Sequence, residues 1–242
     1  MPSVHEVSEP LAGLCRPVPA PGPGVCVICR GCARPEFSTC YSCARVTAQV
    51  RRPCHRVVPL SLYAIPGGLH ATLRGYKDGE SGADRRRYAA LVVSLLARFL
   101  FDHGDCLRSC RAGGWDFITT VPSTNRDGPH PLASALRLVP WLAAQHQETL
   151  VRGTAAMAHN VASDDGFVVR SGVRGARVLV VDDTFTTGAR VQSAASALQL
   201  AGARVVAAVP IGRVVDPCCG EQAPFDFGRC CLEPRARRQE VS

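Results

Sequence analysis

The stretch Val178–Arg190 reads VLVVDDTFTTGAR: four apolar residues, two adjacent carboxylates, then a small hydroxyl-rich loop that closes on glycine. Such an apolar run fits a strand buried within a sheet. In open α/β sheets ligands bind at the carboxyl ends of strands, which is where Asp182 and Asp183 fall. Two neighbouring acids at the end of a buried strand repel each other, so their joint presence points to something outside the chain that uses both. The loop Thr184–Gly188 then leads into a helix, whose first N–H groups lack intrahelical partners and carry partial positive charge. Threonine hydroxyls add donors and glycine lets the backbone approach closely, an arrangement suited to a phosphate. Carboxylates beside it accept hydrogen bonds from neighbouring sugar hydroxyls and help to hold a hydrated cation. Together these features imply a ribose 5-phosphate unit. The plainer alternative is that Asp183 caps the helix and Asp182 makes a structural hydrogen bond.

Working outward, the chain alternates strand and helix. A strand is expected near VVPLSLYAI, a polar glycine-rich turn at GYKDGESGAD, a helix from about Arg85 to Asp102 and a strand at WDFITTV. A helix from Pro131 to Gln145 and a weakly patterned polar segment from Glu148 to Gly175 follow. ARVLVV, the helix QSAASALQLAGA and the strand RVVAAVPI complete a βαβ unit. The fold class expected is α/β, a mainly parallel sheet flanked by helices, with a small N-terminal cysteine-rich module. Residues 1–24, ending in RPVPAPGPG, read as a disordered leader, residues 25–56 as the cysteine module, 57–216 as the α/β domain and 217–242 as a Cys/Arg-rich tail.

The segment lacks the GK[ST] of a P-loop and the GxGxxG of a dinucleotide site. With its apolar lead and TTG together, it closely resembles the phosphoribosyl-diphosphate signature of the type I phosphoribosyltransferases. That resemblance implies that Asp182 and Asp183 bind the ribose hydroxyls, and that Thr184, Thr186, Thr187, Gly188 and Ala189 line the 5-phosphate loop. Arg190 departs from the family, which has Thr or Ser there. The type I fold places its diphosphate loop after the strand DFITTV, where VPSTNRDGPHPL supplies Ser123, Thr124, Asn125 and Arg126. Read without that context, this proline- and glycine-bearing segment is a surface turn, and His130 is a loop side chain rather than the base it could otherwise supply.

Four cysteines, Cys26, Cys29, Cys40 and Cys43, follow C-x2-C-x10-C-x2-C, a spacing suited to tetrahedral zinc, with Cys32 as a competing thiol. Zinc would stabilise a module too small to fold on its core alone. A zinc ribbon ahead of a phosphoribosyltransferase domain is similar to the ComF family of competence-associated, amidophosphoribosyltransferase-like proteins. LRGYKDGE, carrying Lys77, is similar to the lysine-containing turn before that family's first domain helix, which implies a substrate contact for Lys77. His159, Asn160 and Phe167 fall in the counterpart of its loop before the signature strand, whereas RDGPHPL replaces its RGFNQ-like stretch. Cys106, Cys110 and the vicinal pairs Cys218–Cys219 and Cys230–Cys231 receive no role, since adjacent thiols chelate one ion poorly.

The formal charge of +8 comes almost wholly from arginine, Lys77 being the only lysine, and is spread along the chain rather than gathered in a stripe. The longest apolar stretch, from Tyr88, is interrupted by Arg98, short of the roughly 20 residues that span a bilayer. With no export signal apparent, a cytoplasmic location is expected, and the thirteen cysteines read as metal ligands or free thiols rather than disulfides. The resemblance implies Mg²⁺-dependent binding of phosphoribosyl diphosphate and transfer of the phosphoribosyl group to an unidentified acceptor, with Asp182, Asp183 and Arg126 at the reacting centre. The alternative is a non-catalytic sensor or DNA-uptake-associated protein engaging single-stranded DNA. Phe37 and Tyr41 are the module's only large aromatic side chains.

Overall fold

The computed structural model describes residues 3–108, 114–123, 128, 130–170, 172–219 and 223–232. In chain order the helices are α1 (Val4–Ser8), α2 (Tyr41–Thr47), α3 (Gly68–Asp78), α4 (Gly82–Arg108), α5 (Pro131–Leu136), α6 (Pro140–Gln145) and α7 (Ala189–Leu200). The strands are β1 (Ser61–Tyr63), β2 (Phe117–Thr120), β3 (Leu150–Arg152), β4 (Phe167–Val169), β5 (Arg177–Phe185) and β6 (Arg204–Val214).

Strand β5 lies inside a four-stranded, all-parallel sheet of order β1-β6-β5-β2. Successive side chains leave a strand on opposite faces. Leu179 and Val181 accordingly join the layer built on α3, α4 and α5, while Val178 and Val180 join the layer built on α7. Burial on both faces is why β5 reads as a continuous apolar run.

Helix α7 buries even its polar residues, because the linker before β1 and the segment after β3 pack across it. Gln192 exchanges two 2.8 Å hydrogen bonds with the Cys54 backbone. Ser193 accepts from Ser163 N at 2.9 Å, and Ser196 donates to Asp164 at 2.5 Å. The alanine- and serine-rich composition gives these segments close approach while satisfying their polar groups.

Several expectations need correction. The leader is ordered from residue 3: Ser3 and Glu6 form a capping box at α1, and a 3-10 turn, Glu9–Leu14, buries Leu11 at 1% exposure. Arg98 on α4 holds Glu9 at 2.6 Å, and Arg16 bridges to Leu62, so the proline-rich stretch covers the edge strand β1. The expected strand near Val57 is only three residues long, and the expected glycine-rich turn shrinks to 79–81, its other residues belonging to the start of α4 and the end of α3. Its buried Leu69, Thr72, Leu73 and Tyr76 follow helical spacing. The single helix expected over Pro131–Gln145 is two, since Pro140 supplies no N–H to continue the first and opens the second. Within Glu148–Gly175, β3 and β4 form an antiparallel pair. Among the described residues no helix is long and apolar enough to cross a membrane.

Candidate functional site

Strand β5 does not end before the acids; it runs through them to Phe185, with Asp182 opposite Pro210 and Thr184 opposite Gly212 on β6. Asp183 is fully buried and Asp182 is 2% exposed. Their repulsion is relieved because each has its own cation. Arg190 on α7 approaches Asp182 at 3.5 Å, and Lys77 in the last turn of α3 lies 2.6 Å from Asp183, which also accepts from the Tyr76 hydroxyl. Burial pushes the Asp182 carboxyl up to about 6, with Arg190 opposing. Burial acts upward on Asp183 as well, but Lys77, His130 and Tyr76 override it and hold that carboxyl below the usual range. One acceptor is left over: buried Asp183 Oδ1 has no hydrogen-bond partner among the described residues.

The loop after β5 is shaped by Gly188. Its φ of 86° is left-handed, and a Cβ there would collide with the Phe185 ring. Gly188 stands at the N-cap of α7 with no side chain to cap it; Ala189 N donates to Thr187 Oγ1 at 3.4 Å, and the helix N-terminus borders the cleft, where its partial positive charge suits an acceptor. Thr187 Oγ1 accepts from Asn160 N at 3.3 Å, tying the segment before β4 to the loop. Asp182, Thr184, Thr186, Thr187, Gly188 and Ala189 all line one open cleft of about 440 Å³. Lys77, Arg74, Arg190 and His159 border the same cleft, giving it a basic wall. Arg190 therefore takes a carboxylate partner in place of the hydroxyl contact expected of Thr or Ser.

Strand β2 lies next to β5, so the chain leaving β2 adjoins the acid pair. Ser123 lines a neighbouring cleft of about 370 Å³ with His130, Arg152 and Arg170. Thr124, Asn125 and Arg126 lie outside the described residues. His130 is no ordinary loop side chain. It is buried at the N-cap of α5, its Nδ1 accepts from Leu132 N at 3.1 Å, and Nε2 therefore carries the proton that faces Asp183 at 3.6 Å. An oxygen of each aspartate and a ring nitrogen of His130 lie within 4.8 Å of one another.

The thiols of Cys26, Cys29, Cys40 and Cys43 also converge within 4.8 Å, buried in the α7-side core. A tetrahedral zinc with Zn–S bonds of about 2.3 Å sets its sulfurs about 3.8 Å apart; Cys29 and Cys40 Sγ stand 3.8 Å apart. The four residues thus fit a metal such as zinc. The first pair sits on a turn closed by the Val25–Cys32 bridge. The second opens a helix, with Cys40 as N-cap of α2. Cys32 does not compete for the ion, because it is joined to Cys219 in a disulfide, a pairing that the expectation of free or metal-bound thiols missed.

Arg213 on β6 connects this cluster with the loop. Buried, it donates from Nε to Cys29 Sγ at 3.3 Å and from Nη1 to the carbonyls of Phe185 at 3.3 Å, Thr186 and Val214 at 2.6 Å. Sequence reasoning missed Arg213 and Tyr76, and took His130 for a loop side chain rather than a base. Tyr76 had a signal in the helical spacing of α3, whereas Arg213 is just one arginine at the end of an apolar run. No protein-family model matches the chain, nor does any curated protein.

Proposed function

We propose that the chain binds phosphoribosyl diphosphate with Mg²⁺ and transfers the phosphoribosyl group to an acceptor, as a ComF-like member of the type I phosphoribosyltransferases. The observation that carries this reading is one continuous element. Two buried carboxylates lie near the end of a parallel strand, and a glycine-pinned loop and a helix N-terminus without a side-chain cap follow within five residues; Asp182, the loop and the start of the helix line one basic cleft, with Asp183 buried behind it. The orphaned Asp183 Oδ1 supplies an acceptor for a ribose hydroxyl. Thr186, Thr187 and the first amides of α7 supply donors for the 5-phosphate. Ser123, on the neighbouring cleft, is a donor available to the diphosphate.

In the reaction the bond from C1 to the diphosphate oxygen breaks, diphosphate leaves with the electron pair, and the acceptor nucleophile bonds to C1 of an oxocarbenium-like sugar. The protein contributes position and charge: the acids fix the ribose, and the loop fixes its phosphate. Asp182 and Asp183 are the carboxylates that would help to hold Mg²⁺, which would supply positive charge to neutralise the leaving group.

A second reading rests on a separate surface. Phe37 and Tyr41 are 57% and 69% exposed and border one groove with Arg34, a stacking platform for single-stranded DNA, with the cleft then acting as a sensor. Diphosphate release separates the two. Incubation with phosphoribosyl diphosphate, Mg²⁺ and a panel of amine and nucleobase acceptors is expected to release diphosphate with at least one acceptor. Tight ligand binding with no release from any of them would favour the sensor.

A further inference from the structure

A second constellation lies apart from the cleft and the four-cysteine cluster. His103 and Cys106 sit one turn apart on α4, Cys230 arrives from segment 223–232, and one ligand atom of each lies within 4.8 Å of the other two. Each is positioned independently. His103 is buried at 4% exposure, with Nε2 2.8 Å from the Phe227 carbonyl oxygen. A carbonyl only accepts, so Nε2 bears the proton and Nδ1 the lone pair. This is the usual state of a metal-ligating imidazole, whose second nitrogen donates to a backbone carbonyl or carboxylate.

Arg56 holds the backbone at Cys106, donating to its carbonyl at 3.0 Å and to that of Leu107 at 2.8 Å. On the other side, the Phe227 ring lies 3.6 Å from the Arg98 guanidinium and packs edge-on against Phe225. The vicinal cysteines divide their roles: Cys231 is buried in the main core, and Cys230 turns to the constellation. The poor bite of adjacent thiols is therefore no obstacle, because the partners of Cys230 come from α4.

We propose that His103, Cys106 and Cys230 bind a zinc ion of their own, which fastens segment 223–232 to α4. Two thiolates and one imidazole form the borderline-soft donor set that zinc takes. The ion displaces the two thiol protons, and its charge is balanced by the two thiolates. Cys106 and Cys230 are half-buried, so water would be the fourth ligand.

The full-length chain, purified under reducing conditions in zinc-supplemented buffer, is expected to carry two zinc ions by elemental analysis, and Cys230→Ser to carry one. Cobalt replacement reads the same point on the unmutated chain. Two Co²⁺ should bind, the second with roughly half the thiolate-to-metal charge-transfer intensity of the first, since two thiolates replace four. A wild-type chain holding a single ion would overturn the proposal, as would two ions that persist in Cys230→Ser or a Cys106–Cys230 disulfide in the metal-loaded protein.

Discussion

Asp182 and Asp183 are adjacent, equally buried and chemically identical, yet their surroundings drive them apart. Burial dominates at Asp182 and pushes its carboxyl up to about 6, while Lys77, His130 and Tyr76 hold Asp183 below the usual range. Below pH 6 Asp182 keeps its proton and loses the charge-assisted acceptor that a diol requires; above it the carboxylate is present. Affinity for phosphoribosyl diphosphate is therefore expected to rise as pH increases through about 6. The ligand's phosphate also titrates near there, so the comparison that matters is Asp182→Asn, which should flatten the residue's share of the profile. Identical pH profiles in titrations of wild type and variant would remove Asp182 from the site. Sequence showed that two acids stood together at a strand end, but not which would hold a proton, because Arg190, Lys77 and His130 reach them from α7, α3 and the N-cap of α5.

At the scale of elements, the loop between β5 and α7 is held from below by Arg213, whose guanidinium spans loop carbonyls and a cysteine of the four-cysteine cluster. Replacing it with alanine leaves those carbonyls without donors and loosens the loop. We expect Arg213→Ala to weaken binding of inorganic phosphate or the full ligand by about tenfold or more, corresponding to roughly 1.4 kcal/mol. Zinc content should stay unchanged, because no ligand is removed. Unaltered affinity would show that the loop holds its own shape. Strand β5 and helix α7 were legible because burial on two faces and an alanine-rich helix leave a local pattern. The Arg213 bridge was not, because it joins Arg213 to Cys29, 184 residues away, and to the loop that β5–β6 pairing sets beside it.

Across the whole molecule, pieces that read as separate segments share two cores. The four cysteines pack in the same cluster as Val178, Val180 and the alanines of α7, and the leader packs on α4 and β1. The leader escaped sequence reading because its proline and glycine residues have no period; what orders it is contact with α4 and the edge strand. A cluster inside the common core should not melt alone. Chelating the zinc is expected to lower the melting temperature of the entire chain in a single calorimetric transition, whereas an early transition confined to the module would mean it folds apart. The central claim concerns the acid pair and is tested most directly by isothermal titration of phosphoribosyl diphosphate, with and without Mg²⁺, into wild type and the Asp182→Asn, Asp183→Asn double variant. Saturable, Mg²⁺-dependent binding to wild type, weakened by about a hundredfold or more in the variant, is the result expected from losing two charge-assisted acceptors worth roughly 1.5–3 kcal/mol each. Equal affinity in the two proteins, or no binding to wild type, would contradict it.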